Sequence, residues 1–175
     1  MAVGSSKRRV ASGRIEALAI DLLEASTLCA IATVSGPGRA HINTAYFAWS
    51  GEFDLVWLSE PRAQHSKNIA ANPSVAVAVY DSAQNWGSSD RGIQLLGKAE
   101  AIAPREDEWA RRLYTERFPR FAGASLGAYR FYRLRIDRLK LFAEETLGGG
   151  IFVTARVGRD RRPAWQRTDV YDSNS

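Results

Sequence analysis

The chain has 175 residues, which is enough for one domain with a buried core, and its 45% hydrophobic and 25% charged residues are typical of a soluble globular protein. The formal net charge of +5 is concentrated at the two ends, because Lys7, Arg8, Arg9 and Arg14 contribute +4 and the arginines of residues 156–175 exceed the aspartates there by two. The remaining body is close to neutral, which argues against a dedicated nucleic-acid-binding surface.

No segment is long and apolar enough to span a membrane, and no signal-type apolar run follows the basic residues near the N-terminus. The single cysteine, Cys29, lies within an apolar run, which is typical of a buried thiol and excludes an intramolecular disulfide. The only histidines are His41 and His65, so no cluster has the spacing of a zinc site. We therefore expect a cytoplasmic protein without a metal centre.

The predicted elements begin with an amphipathic helix. Residues 1–12 lack periodicity and are predicted to be a disordered basic segment. The helix is predicted from apolar residues that recur on one helix face, namely Ile15, Leu18, Ala19, Leu22 and Leu23. Apolar and alternating runs then predict strands over residues 28–34, 39–49 and 53–58, separated by turns at 35–38 and 50–52.

A short helix is predicted after the third strand, with Ser59 as its cap and Pro61 in its first turn. The later predicted elements are a strand at 75–79, a strand at 91–102, a helix from Pro104 with Trp109 and Leu113 on its packing face, a strand at 129–142 and a short run at 151–154. Residues 156–175 lack periodicity and are predicted to be a polar tail. Short strands with tight turns and few helices predict a mainly β fold, an antiparallel barrel with helical covers.

The segment from Ser59 to Lys67 combines groups that can hold an anion. A helix N-terminus presents unpaired backbone N–H groups and a partial positive charge, and Ser59, Gln64, His65 and Lys67 would surround it. An ordinary capped helix with a solvated polar face has the same composition, and the local sequence alone favours that interpretation.

Other constellations with chemical potential are few. The sequence has no G-x-S-x-G, Walker or dinucleotide-binding glycine pattern, so a Ser-His hydrolase is not expected. Arg133 and Arg135 share a strand face that could meet an anionic ligand, although pairing with acidic side chains is the commoner arrangement.

Three segments, taken in order, resemble one protein family. They are Gly38-Arg39-Ala40-His41-Ile42-Asn43-Thr44-Ala45-Tyr46-Phe47; then Ser59 followed by His65-Ser66-Lys67-Asn68-Ile69 and Asn72-Pro73 with a valine strand; then Trp86 and Arg91 followed by Gly97-Lys98-Ala99-Glu100. In this order and spacing, over about residues 14–142, they closely resemble the pyridoxamine 5'-phosphate oxidase-like split-barrel proteins.

The resemblance implies a fold, an assembly and a cofactor. The fold is a six-stranded antiparallel split β-barrel, which we place at residues 13–155, and the assembly is a homodimer. Flavin mononucleotide (FMN), or a deazaflavin coenzyme in some members, binds at the interface, where hydride passes to or from a small-molecule substrate. The implied cofactor-binding residues are the ring-lining Asn43, Thr44, Ala45 and Tyr46, the phosphate-binding Ser59, Gln64 and His65, the nearby Lys67, and Gln94 on the strand face of Gly92.

The chain also departs from the oxidase itself, which has Arg-Lys at the positions of Gln64-His65, an arginine at Asn43 and a lysine at Ala48. The C-terminal arginine and histidine pattern that holds the vitamin substrate is not recognisable. We therefore expect an oxidoreductase that does not oxidise pyridoxamine phosphate. Two alternatives keep the fold: a deazaflavin-dependent reductase, and a non-catalytic flavin- or haem-binding protein in which His65 is an iron ligand.

Overall fold

The computed structural model describes residues 2–6 and 8–172. Its strands are β1 (Ala2–Ser6), β2 (Leu28–Val34), β3 (Ala40–Trp49), β4 (Asp54–Ser59), β5 (Ser74–Tyr80), β6 (Arg91–Ala101), β7 (Arg130–Ala143), β8 (Ile151–Val157) and β9 (Pro163–Asp172). Its helices are α1 (Ser12–Glu24), α2 (Gln64–Ala71), α3 (Asp107–Arg117) and α4 (Glu144–Leu147), with 3-10 turns at Pro104–Glu106 and Pro119–Phe121. In the described part of the chain, no helix has the length and apolar character needed to cross a membrane.

The described strands form one sheet in the order β1-β9-β8-β7-β4-β3-β2-β5-β6. Because β7 also pairs with β6, the six strands from β7 to β6 close into an antiparallel barrel. The predicted mainly β fold with a six-stranded barrel is therefore confirmed. Gly97 on β6 allows a close approach to β7, since a Cβ at this position would overlap the carbonyl group of Arg135.

Contacts divide the chain into two compact units. The first unit contains Met1–Ser26, Ala78–Leu95 and Asp137–Ser175, and the second contains Thr27–Val77 and Leu96–Ile136. Each unit has its own buried side chains.

The second unit is built on the hairpin of β2 and β3, which pair in antiparallel register from Leu28↔Tyr46 to Val34↔Ala40. Alternate side chains point into the core, where Cys29 and Ile31 are buried. The opposite side of the hairpin is apolar and open, and we call it the outer apolar face. Its large exposed residues are Leu28 (45%), Val34 (37%), Ile42 (68%) and Tyr46 (57%).

α3 packs on the second unit through apolar and aromatic side chains. The buried cluster consists of Ala48, Val56, Ile102, Ala110, Tyr114 and Phe131. Trp109 and Leu113, the packing face predicted for this helix, are only partly buried beside that cluster. Ala110 is small enough to let the helix approach the sheet, which centres the contact on Ala110 and Tyr114.

The first unit contains α1 and the hairpin of β8 and β9. The five residues predicted to form the buried face of α1 are all buried, so the prediction of this helix is confirmed. A β-bulge between Thr154 and Ala155 shifts the register of β8 against β9.

The structure differs from the predictions at both chain ends. Residues 2–6, predicted to be disordered, form β1, which pairs with β9, and β9 itself lies in the predicted polar tail. The inward-facing residues of β9 include Thr168, which accepts a hydrogen bond from Trp165 Nε1 (3.0 Å) and donates one to the carbonyl of Arg8 (2.7 Å). A strand that buries satisfied polar groups has no apolar alternation in its sequence. The predicted disordered N-terminal segment and polar C-terminal tail stay predictions for Met1, Lys7 and residues 173–175, which lie outside the described residues.

Candidate functional site

A cleft of about 440 Å³ lies beside β3 in the second unit. Its volume falls in the range of small-molecule sites, about 300–1,000 Å³. The wall includes six of the predicted cofactor-binding residues, namely Asn43, Thr44, Ala45, Tyr46, Ser59 and His65. The other lining residues are Leu58, Glu60, Ala63, Tyr114 and Tyr129, none of which was predicted as a site residue.

The cleft forms where β3 and β4 separate. β3 pairs with β4 through Phe47–Trp49, and among the described residues the preceding part of β3 has no partner on β4. Asn43–Tyr46 therefore have β2 on one edge and line the cleft. We call this stretch the open edge of β3, because its backbone N–H and C=O groups on the β4 side are left to bind a ligand.

Ser59 holds His65 at the wall of the cleft. Ser59 ends β4 and is only 4% exposed. Its Oγ lies 2.5 Å from His65 Nε2 and 2.9 Å from Ser66 Oγ. A buried strand end thus fixes the hydroxyl group, and the hydroxyl group fixes the imidazole ring.

The helix after β4 begins later than predicted. Ser59 was predicted to cap it with Pro61 in the first turn, but α2 starts at Gln64, and its N-cap residue, Ala63, makes no side-chain cap hydrogen bond. Ser59 is not at the capping position, because it ends β4 four residues before Ala63, and its hydroxyl group is hydrogen-bonded to the side chains of His65 and Ser66. The first backbone N–H groups of α2 are left without a side-chain cap, which suits an anion.

The two histidines of the chain lie together. The rings of His41 and His65 are stacked, with centroids 6.3 Å apart and planes 10° apart. Burial lowers the pKa of His65 below its ordinary value of 6.5, and the neighbouring His41 lowers it further. His65 is therefore neutral at pH 7 and contributes a hydrogen bond rather than a fixed charge.

A serine hydroxyl beside an imidazole is also the first part of a nucleophile–base pair. No carboxylate among the described residues is hydrogen-bonded to His65, and Ser59 Oγ is shared with the buried Ser66. The arrangement suits holding a ligand oxygen better than attacking a carbonyl group.

Three predicted cofactor-binding residues do not line this cleft. Gln64 donates from Nε2 to Asn68 Oδ1 (2.8 Å) and lines a second cleft of about 550 Å³ together with His41. Lys67 is exposed on α2, and Gln94 is exposed on β6 in the first unit. Adjacent helix positions point about 100° apart, which separates Gln64 from His65.

α2 is anchored to the barrel by polar contacts. Asn68 is 2% exposed and donates from Nδ2 to Thr33 Oγ1 (3.0 Å) on β2. Thr33 lies opposite His41 in the β2–β3 register. The same network therefore sets the position of α2 and the surroundings of both histidines.

Arg133 forms ion pairs with acidic side chains, which is the commoner of the two arrangements considered from the sequence. It is 6% exposed and binds Glu100 (2.9 Å) and Glu106 (3.2 Å). Two carboxylates neutralise its charge, so this arginine offers little to an anionic ligand. Arg135 is exposed.

Tyr114 and Asn43 add polar groups to the cleft. Tyr114 comes from α3, whose sequence indicated only a packing face. The aromatic pair at i and i+4, Tyr114 and Phe118, was the available sign that this face is larger than Trp109 and Leu113. Asn43 Oδ1 is buried without a hydrogen-bond partner, which marks it as an acceptor that a ligand can satisfy.

Across the described residues, no group of three or more His, Cys, Asp or Glu side chains is placed to hold a metal ion.

Comparisons with known proteins give one family and several structures of similar fold. The model of the pyridoxamine 5'-phosphate oxidase family matches residues 15–143. A haem-binding protein from Mycobacterium smegmatis is similar over 85% of this chain and 59% of its own, with 18% identity and a TM-score of 0.65. A Clostridium acetobutylicum protein related to general stress protein 26 of B. subtilis, of the pyridoxinephosphate oxidase family, is similar over 85% and 97%, with 12% identity and a TM-score of 0.61. An F420 reductase is similar over 68% and 93%, with 25% identity and a TM-score of 0.53. No curated protein sequence matches the chain.

Proposed function

The chain belongs to the pyridoxamine 5'-phosphate oxidase family, and on that premise we propose that it is an oxidoreductase that binds FMN in the cleft beside β3. One observation carries the proposal. The open edge of β3 lines the same 440 Å³ cleft as Ser59 and His65 at the start of α2. A polar ring edge and an anionic tail are the two parts of FMN, and the cleft offers a surface for each.

The residues present fit both parts. The open edge of β3 supplies backbone donors and acceptors for the ring, and Asn43 Oδ1 is an acceptor without a partner. The uncapped start of α2, Ser59 and His65 supply donors for a phosphate. FMN supplies the hydride chemistry when it is bound. The chain binds and orients it, and we assign no side chain as acid or base.

The phosphate end is weaker than in the oxidase. Gln64 and His65 replace two fixed cations, and the lowered pKa of His65 keeps it uncharged in the free protein. An approaching dianion raises that pKa again, so binding takes up a proton. We propose a small-molecule substrate other than pyridoxamine phosphate, because Asn43 and Ala48 stand where the oxidase has charged residues.

We also propose that the chain works as a homodimer in the cytoplasm. The outer apolar face of β2 and β3 is open to solvent, and the open edge of β3 adjoins it. A second copy seated there would bury Ile42 and Tyr46, which are 68% and 57% exposed in the single chain. Sedimentation velocity checks this, since a monomer at micromolar concentration contradicts the proposal.

Cofactor titration tests the function directly. The purified full-length protein, freed of bound small molecules, is titrated with FMN, with a deazaflavin coenzyme and with haemin while absorbance and flavin fluorescence are followed. We expect saturable quenching of FMN fluorescence with one FMN per chain. His65→Ala should weaken FMN binding, whereas Gln166→Ala, an exposed site in the first unit, should not. Wild-type protein that binds none of the three cofactors overturns the proposal.

Haem binding is the second candidate, because His65 is held neutral at the cleft wall. A neutral imidazole is the form that binds iron, and His65 lines the cleft beside apolar and aromatic residues. The fold similarity to a haem-binding protein is compatible with this candidate. A sharp Soret band with haemin that is lost in His65→Ala, together with no response to FMN, would favour haem. A deazaflavin coenzyme is favoured instead if only that titration gives a response.

A further inference from the structure

Tyr114 reaches the cleft from α3 with its ring held rigidly. The ring packs against Phe118, Phe121 and Phe131 with centroid distances of 4.8, 5.0 and 5.8 Å. Only 7% of the residue is exposed, and it lines the cleft beside the open edge of β3. Three aromatic neighbours fix the ring, so the hydroxyl group has one fixed place.

That hydroxyl group has no hydrogen-bond partner in the described part of the chain. A tyrosine with a buried ring usually has its hydroxyl group at a polar boundary, where the group can find a hydrogen-bond partner. Oη is not sealed inside the core, since the residue lines the cleft. The hydroxyl group is therefore placed to donate a hydrogen bond to a molecule that enters the cleft.

The hydroxyl group is a donor rather than a charged acceptor. Burial raises the pKa of Tyr114 to about 12, and the neighbouring Cys29 and Tyr46 also raise it. It stays protonated throughout the physiological pH range, so it can donate a hydrogen bond to an acceptor such as a carbonyl oxygen. Tyr46 and Tyr129, 57% and 52% exposed, line the same cleft with aromatic surface that suits a flat ring.

We propose that Tyr114 Oη donates a hydrogen bond to a carbonyl oxygen of the planar ring that occupies the cleft, and so selects and orients carbonyl-bearing rings. The inference rests on the proposed function in that the cleft takes a planar redox-active ring. The carbonyl group can belong to the isoalloxazine of FMN or to a quinone substrate, and the chemistry shared by the two is a ring carbonyl acceptor.

The test uses Tyr114→Phe, which removes one oxygen and keeps the packed ring. Tyr80→Phe is the matched control, because Tyr80 is 51% exposed in the first unit. The FMN-free wild-type and variant proteins are titrated with FMN and, separately, with menadione and 2-methylnaphthalene, two molecules that share a ring and differ in their carbonyl groups. Tryptophan fluorescence reports binding, and the midpoint potential is measured on the FMN-loaded forms.

We expect Tyr114→Phe to weaken binding of FMN or menadione by about three- to tenfold, the effect of losing one hydrogen bond. Binding of 2-methylnaphthalene should be unchanged, and Tyr80→Phe should behave as wild type. If the carbonyl belongs to FMN, the midpoint potential of bound FMN falls, because a donor on the carbonyl stabilises the negative charge of the reduced ring. If it belongs to a quinone substrate, only the menadione titration changes.

The inference is overturned if FMN and menadione bind equally well to Tyr114→Phe and wild type, which would assign the hydroxyl group to water alone. It is also overturned if 2-methylnaphthalene is weakened as much as menadione, since the effect would then be one of packing. Failure of wild-type protein to bind FMN contradicts the proposed function instead, and the menadione pair still decides the role of Tyr114.

Discussion

α2 and α3 border the same cleft, but different kinds of contact hold them in place. α2 buries two polar residues, Ser66 and Asn68, besides Ile69, and it is joined to β2 by the hydrogen bond from Asn68 to Thr33. α3 buries Ala110 and Tyr114 in an apolar and aromatic cluster. Hydrogen bonds are directional, whereas apolar burial depends mainly on area. We therefore expect α2 to fix the orientation of the site and α3 to contribute more to the free energy of unfolding.

Phe131→Ala should give the largest effect, because it removes the ring that underlies α3. Phe131 is fully buried and contacts Tyr114 and Phe121. We expect a loss of about 3–5 kcal/mol in the free energy of unfolding, from lost burial and the cavity left behind. Urea denaturation measures it, with Trp86→Ala at a fully exposed position as the control. A loss below that seen for Asn68→Ala would reverse the comparison between the two helices.

Asn68→Ala should destabilise less and disturb the site more. It leaves Thr33 Oγ1 and Gln64 Nε2 without their partner, which should cost about 1–3 kcal/mol in the free energy of unfolding. Because α2 carries His65, FMN affinity should fall as well. Thr33→Val removes the other half of the same hydrogen bond, so the double variant should lose less than the sum of the single variants. Additive losses would show that the hydrogen bond does not couple α2 to β2.

The smallest effect should come from titrating His65. Its pKa is lowered in the folded state, so the unfolded chain binds more protons between the two pKa values. The contribution of His65 to the free energy of unfolding is therefore fully present above pH 6.5, its ordinary pKa. It is lost as the pH falls through the lower pKa that His65 has in the folded protein. FMN affinity should change in the opposite sense and rise at lower pH, because protonated His65 attracts the phosphate.

NMR titration checks this prediction directly, since the chain has only two histidines. One imidazole should titrate below 6.5 in the free protein, and its pKa should move up in His41→Gln, which removes the neighbouring ring. FMN affinity of His65→Gln should lose its rise at low pH. An FMN affinity that depends equally on pH in both proteins would place the phosphate away from His65.

The sequence predicted the elements that bury alternating or helical apolar residues. β2 was predicted with its observed limits, Leu28–Val34, and the buried face of α1 was predicted residue by residue. β9 was not, because it buries Thr168 and Asp169 in place of apolar residues. A pattern of hydrophobicity reports burial only where burial is apolar.

The site was predictable to the extent that it lies on contiguous segments. Asn43–Tyr46 and Ser59 follow from strand positions in the resemblance, and they meet in one cleft. The start of α2 was predicted too early, because Ser59 has the side chain of a helix cap. Its hydroxyl group is instead hydrogen-bonded to His65, a three-dimensional contact that the local sequence does not show. Tyr114 lies 55 residues after Ser59 in the sequence, and only the packing of α3 brings it to the cleft.

The open edge of β3 has a consequence for the solubility of the protein before its cleft is filled. The open edge and the three residues before it, residues 40–46 of β3, lack a β4 partner among the described residues and contain neither a charged residue nor a proline. Natural proteins use charged residues and prolines to keep exposed strand edges from pairing with strands of other molecules. A chain with an empty cleft is therefore prone to edge-to-edge aggregation, and expression with added riboflavin should raise the soluble yield.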